Sequence, residues 1–189
     1  TYIGIHPRRG YVAIEELMPE GFENTIIVSD CWASYFKIED RKAGLKLITT
    51  PWKRPAPDTA PHQAKVSGPY IICTMSKEFA EKKGYHDALM MDYQGNVAEA
   101  TGANIFFINT KNNEIHTPIA DSFLDGITRR SIIDIARQLK IKVLERKIKL
   151  DELDKFDGCF LTGTAAEVTP VSQIGDVKFT VGDMIKKLD

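Results

Sequence analysis

Short blocks of alternating or periodic apolar residues run along the 189-residue chain, separated by turn formers, and predict a mixture of strands and helices. β-Branched runs at 25–28 and 45–49 read as strands. The proline-rich stretch 52–61 is incompatible with a regular helix or a central strand. Helical spacing extends over 70–83, with Ile71, Ile72, Met75 and Phe79 on one face, Glu78, Glu81, Lys82 and Lys83 on the other, and Gly84 as a stop signal. A strand at 87–92, a turn at Gln94-Gly95-Asn96 and a strand at 104–109 read as an antiparallel pair, and Lys111-Asn112-Asn113 marks another hairpin turn. Ile132, Ile135, Ala136 and Leu139 fall at i, i+3, i+4 and i+7 and predict an amphipathic helix over 128–140. Short strands at 143–148, 158–162 and 177–180 complete the pattern, and there is no internal repeat. The expected fold class is α+β, with a mixed or largely antiparallel sheet.

Four polar segments interrupt this pattern and carry candidate chemistry. Lys65, in AKVSGPY, lies between the proline-rich loop and a helix. Taken alone it is an ordinary solvated amine, since only burial or a cationic neighbour lowers a lysine pKa far enough for Schiff-base work. Glu99, in AEATGAN, sits among small residues that admit a ligand closely; the alternative is an exposed acid in a tight turn. Asp125-Gly126-Ile127-Thr128 opens a helix, whose unpaired amides and positive dipole end suit a phosphate. Thr128 reads equally well as a simple N-cap. Thr162-Gly163-Thr164-Ala165-Ala166 follows a strand and offers hydroxyls and amides to a second anion, or only makes a turn. Together the four segments supply an amine, an acid and two anion-binding loops.

Charge and composition narrow the partners. Lysine plus arginine (25) nearly balance aspartate plus glutamate (26), so no global field recruits nucleic acid or an acidic membrane, and small molecules or protein subunits are expected instead. Cys31, Cys73 and Cys159 are far apart with no CxxC pair, which points away from a disulfide framework or zinc site and towards a reducing, cytoplasmic setting. His6, His62, His86 and His116 have no ligand spacing, so no metal is expected. No run approaches a membrane span or a signal peptide, and the start at Thr1 without methionine leads us to expect further sequence upstream.

The order of the four segments gives them a joint meaning. RPAPDTAPHQAKVSGPY, GNVAEATGANIFFI, LDGITRRSII and LTGTAAEVTPV, spread over residues 52–172, resemble the large domain of branched-chain aminotransferases, pyridoxal-phosphate (PLP) enzymes of fold type IV. The resemblance implies the large C-terminal domain of the D-amino-acid/branched-chain aminotransferase-like fold, a mixed sheet or pseudo-barrel with flanking helices. Residues 1–36 would then end the interdomain loop and begin the large domain, and 37–189 would form the PLP-binding domain. It further implies that Lys65 carries pyridoxal 5'-phosphate covalently and shuttles the proton between the substrate Cα and the cofactor C4′. Tyr70 would hydrogen-bond the phenolic oxygen, and Glu99 would pair with the pyridine nitrogen and keep it protonated. The Ile127 and Thr128 amides, with the Thr164 hydroxyl, match the family's phosphate cup. The Thr164 and Ala165 amides match the loop that receives the substrate α-carboxylate. Arg54 matches a family arginine near the cofactor. CWASYF resembles the segment lining the substrate side-chain pocket, which makes Trp32 and Tyr35 candidates, although an aromatic pair is more often plain core. GIHP at residues 4–7 resembles the end of an interdomain loop that reaches a neighbouring subunit's pocket, so a homodimer or higher homo-oligomer is expected.

The implied reaction is transamination between leucine, isoleucine or valine and 2-oxoglutarate. D-Amino-acid aminotransferases and aminodeoxychorismate lyases share the lysine and glutamate, but AKVSGPY and TGTAAEVTP favour the branched-chain group. Ala103 departs from the family's EGSGEN pattern, where an acid precedes the asparagine. Nothing here resembles the family's small N-terminal domain, so the chain reads as about two thirds of a two-domain enzyme. A truncated, non-catalytic remnant is the alternative.

Overall fold

The computed structural model describes residues 35–188. The expected strand at 25–28, the segment 4–7 and Trp32 lie outside the described residues. Two compact units are present, Thr1–Tyr35 and Phe36–Asp189, and the elements below all belong to the second. In chain order they are α1 (Ile38–Ala43), β1 (Leu45–Lys53), α2 (Ser67–Lys82), β2 (Asp87–Met91), β3 (Val97–Ala100), β4 (Asn104–Asn109) and β5 (Glu114–Thr117). Then follow α3 (Ile127–Gln138), β6 (Lys142–Glu145), a 3₁₀ turn (Leu150–Lys155), β7 (Gly158–Gly163), β8 (Glu167–Ile174), β9 (Val177–Lys178) and α4 (Asp183–Leu188).

The fold is α+β, as expected. Its strands form one mixed sheet in the order β3-β2-β1-β8-β7-β4-β5-β6, with β9 paired to β8. β1 runs parallel to both β2 and β8, β5 parallel to β6, and the other neighbours are antiparallel. β3 and β4 lie five steps apart in this order. In a flat sheet that separation is about 24 Å, whereas the link from Ala100 to Asn104 spans at most about 14 Å. The sheet must therefore curl, and the curl carries Glu99 at the end of β3 towards Asn104 at the start of β4.

Central strands are buried on both faces, which explains their continuous apolar runs. On one face Phe106 and Phe160, opposite each other on β4 and β7, stack with centroids 5.0 Å apart and join a core with Ile132, Ile133 and Ala136 of α3. On the other, Phe107 stacks on Phe156 at 5.1 Å.

Several expectations are corrected. The antiparallel partner of β2 is β3, with Met90 opposite Glu99, and not the strand at 104–109, which pairs with β5 and β7. The hairpin turn at 94–96 is nevertheless real, held by the Asp92 carboxylate, which accepts the Gln94 and Asn96 amides. Both helices present a rotated face. α2 buries Cys73, Ser76 and Ala80, whereas Ile71 is 64% exposed and Met75 40%. α3 buries Arg129, Ile132, Ile133 and Ala136, leaving Ile135 and Leu139 exposed. In each case a small or charged residue that bonds inward displaces an apolar one from the stripe. Among the described residues no helix is long and apolar enough to cross a membrane. Cys73 and Cys159 are both buried and unpaired with other cysteines.

Candidate active site

A cavity of about 260 Å³, just below the range of about 300–1,000 Å³ usual for small-ligand sites, opens where the curl brings separate segments together. Its lining includes Arg54 just after β1, Lys65 before α2, Tyr70 and Cys73 on α2, Glu99 on β3, residues 101–104, the start of α3 and residues 162–164. The candidate amine, acid and both anion loops are thus on one surface. Lys65 is exposed, as a bland surface lysine would be, but its position at this cavity is not one that a bland lysine requires.

Glu99 is not the exposed acid of a turn. The tight turn begins one residue later, where the Ala100 amide bonds the Ala103 carbonyl at 2.9 Å, and Glu99 itself is only 8% exposed. Burial pushes its carboxyl up to about 8; the Arg54 guanidinium opposes this and the neighbouring buried Asp87 reinforces it. Although Arg54 Nε lies 3.4 Å from Glu99 Oε1, burial prevails because the guanidinium is shared. It donates also to the Ser122 carbonyl at 3.2 Å, the Pro69 carbonyl at 3.3 Å and Cys73 Sγ at 3.2 Å. Asp87 is raised by burial too, while accepting a 2.6 Å bond from the Thr101 hydroxyl. Tyr70, half-buried, has its phenol raised chiefly by burial and then by Glu99.

The N-cap of α3 is Gly126, and no side chain caps the helix. Thr128 is therefore the second helical residue and not the cap, so the first-turn amides at Ile127 and Thr128 are left to a ligand. Asp125, an acid at this helix start, also lines the cavity, but its carboxylate is engaged by two arginines: it accepts from Arg129 Nη1 at 2.7 Å and Arg130 Nε at 2.8 Å. Its charge is thereby kept from opposing an anion.

Thr164 lines the cavity from the β7–β8 turn, whereas Ala165 beside it is not among the lining residues. Tyr35 belongs to the other compact unit. Several lining residues carried no role of their own from the sequence: Asn104, Leu124, His62 and Cys73, whereas Thr162 belongs to the expected second anion loop. The Thr162 hydroxyl is buried with no hydrogen-bond partner, which suits a polar ligand. Asn104 and Leu124 stand inside the GNVAEATGANIFFI and LDGITRRSII segments, so a signal for them existed; Cys73 looks like an ordinary helix residue until the curl is known. Among the described residues no cluster of three or more histidine, cysteine or acidic side chains could hold a metal ion.

The sequence and fold have counterparts among known proteins. The family Amino-transferase class IV matches residues 15–174. A protein of Rickettsia typhi named probable branched-chain-amino-acid aminotransferase is 44% identical over 151 residues, covering 76% of this chain and 52% of the relative. The crystal structure of a branched-chain aminotransferase from Thermoproteus uzoniensis with norvaline superposes with a TM-score of 0.76 at 34% identity, covering 83% of this chain and 51% of that one. An aminotransferase from Brucella abortus bound to PLP gives a TM-score of 0.72 at 32% identity, covering 77% and 51%. The chain spans about half the length of the curated relatives it matches. With most of its length matched by the family, this chain belongs to the class IV aminotransferases.

Proposed function

We propose that this chain supplies the cofactor-binding part of a PLP-dependent branched-chain aminotransferase, which exchanges the amino group of leucine, isoleucine or valine with 2-oxoglutarate. The observation that carries the reading is that one cavity is lined by the buried Glu99 carboxyl, the uncapped start of α3 and Lys65. A cationic heterocycle bearing a phosphate and an aldehyde fits that donor set: the acid, the amides and the amine each meet their chemical complement.

In this reading Lys65 anchors the cofactor and moves the proton at the substrate Cα. Glu99 holds a proton between its carboxyl and the pyridine nitrogen, and a carboxyl raised to about 8 is suited to sharing it with a base. PLP, when bound, supplies the electron sink that stabilises negative charge at Cα. Tyr70 bonds the phenolic oxygen, the Ile127 and Thr128 amides with the Thr164 hydroxyl hold the phosphate, and the Thr164 and Ala165 amides receive the α-carboxylate. Arg54 positions Glu99. A cytoplasmic homodimer or higher homo-oligomer would complete the assembly. The names of the Rickettsia typhi and Thermoproteus uzoniensis proteins support this substrate class.

The test is the visible spectrum of the protein with PLP before and after an amino donor. L-Leucine should convert the PLP band to that of the aminated cofactor. A response only to D-alanine or aminodeoxychorismate would move the assignment to the other two activities, and no response to any donor would favour a non-catalytic remnant.

A further inference from the structure

Asn104 opens β4 and is 5% exposed, and its side-chain amide works at both ends. Its Nδ2 donates to the Leu124 carbonyl at 2.9 Å, and its Oδ1 accepts the Gly126 amide at 3.2 Å, so one side chain grips the segment that leads into α3 from both sides of Asp125. The same Nδ2 lies 3.5 Å from Glu99 Oε2. Gly126 matches this grip sterically: a Cβ there would meet Asn104 Oδ1 at 2.5 Å.

We propose that Asn104 is a positioning residue that fixes the distance between the acid for the pyridine nitrogen and the helix start for the phosphate. The inference rests on the proposed function, and the geometry explains why one residue suffices. Gly126 is the N-cap of α3, so its backbone sets where the next amides point. Asn104 ties that backbone to the strand that faces Glu99 through the turn at residues 101–103, and the ligand's two ends are held by a single rigid span. A side chain that only packed the interior would affect ligands with and without phosphate alike.

Binding of PLP and of pyridoxal, which lacks the phosphate, is therefore the discriminating pair of probes, measured by calorimetry on the full-length protein beside the unfolding midpoint. Asn104→Ala should reduce the preference for PLP over pyridoxal about tenfold, the effect of two lost hydrogen bonds, while pyridoxal binding changes little. Gly126→Ala attacks the same contact from the other side and should lower the preference similarly, and the double variant should lose little more than either alone. Asn104→Asp keeps the acceptor for Gly126 but sets a carboxylate oxygen against the Leu124 carbonyl and Glu99, so it should lower the preference at least as much as Asn104→Ala. If Asn104→Ala does not fold, Gly126→Ala and Asn104→Asp give the same readout. An unchanged preference in these variants, or an equal loss for both probes, would overturn the positioning role. A wild-type protein with no preference for PLP would overturn the proposed function and this inference with it, whereas a preference that persists in the variants removes the inference alone.

Discussion

Two arginines are buried among the described residues, and the chain uses them in opposite ways. Arg129 is 2% exposed under α3, and its guanidinium meets Asp125 at 2.7 Å, Glu145 at 2.8 Å and the Pro118 carbonyl at 3.0 Å. Arg54, 4% exposed, is spread over two carbonyls and a thiol and reaches Glu99 only at 3.4 Å. The first is a compensated clamp; the second leaves its acid under-compensated, and burial then holds Glu99 at about 8. Two close carboxylates and a carbonyl on Arg129 lock a helix in place even though its buried Nε has no partner, and weaker pairing at Arg54 keeps a proton available beside a cavity.

The contrast can be broken from either side. Arg129→Met should have the largest effect on stability, about 2–4 kcal/mol in urea unfolding, because it removes three close bonds from a buried position while the partly exposed Asp125 and Glu145 recover some hydration. It should also weaken PLP binding by freeing Asp125 at the helix start. Arg54→Met should cost less, about 1–3 kcal/mol, yet move the Glu99 carboxyl further above 8, as a carboxyl-labelled NMR titration would read, since Arg54 is what holds it down. Glu99→Gln isolates the proton itself. The folded carboxyl, at about 8 against an ordinary 4.5, binds its proton more tightly than the unfolded chain does, so its stabilising share is complete below about 4.5 and is lost as pH rises to about 8. The variant should lose that slope in the ligand-free protein, measured by unfolding across this window, and should keep cofactor while slowing transamination. Arg130→Ala touches the same Asp125 from an exposed position and should change stability within about 0.5 kcal/mol.

How much of this was legible in the sequence depended on whether the signal was local. The apolar runs of β2, β4 and β7, the Asp92-anchored turn and the start of α3 all carry their cause within a few residues. β3 does not: Val-Ala-Glu-Ala is a weak strand former, and its pairing to β2 makes it one. β8 is hidden by Pro170, which is tolerated because pairing to β1 begins only at Val171. Arg129 was invisible as a core residue because its partners at 118, 125 and 145 are gathered only by the fold. The four chemical segments could be found in order, but their convergence rests on the sheet's curl, a consequence of topology that no short window contains.

The central claim is that Lys65, an exposed lysine on the cavity wall, is the residue that holds the cofactor. Borohydride reduction of the PLP-loaded protein followed by peptide mapping tests it most directly. The account predicts loss of the visible band with a single stoichiometric label on Lys65; a label on another lysine, or none, would contradict it.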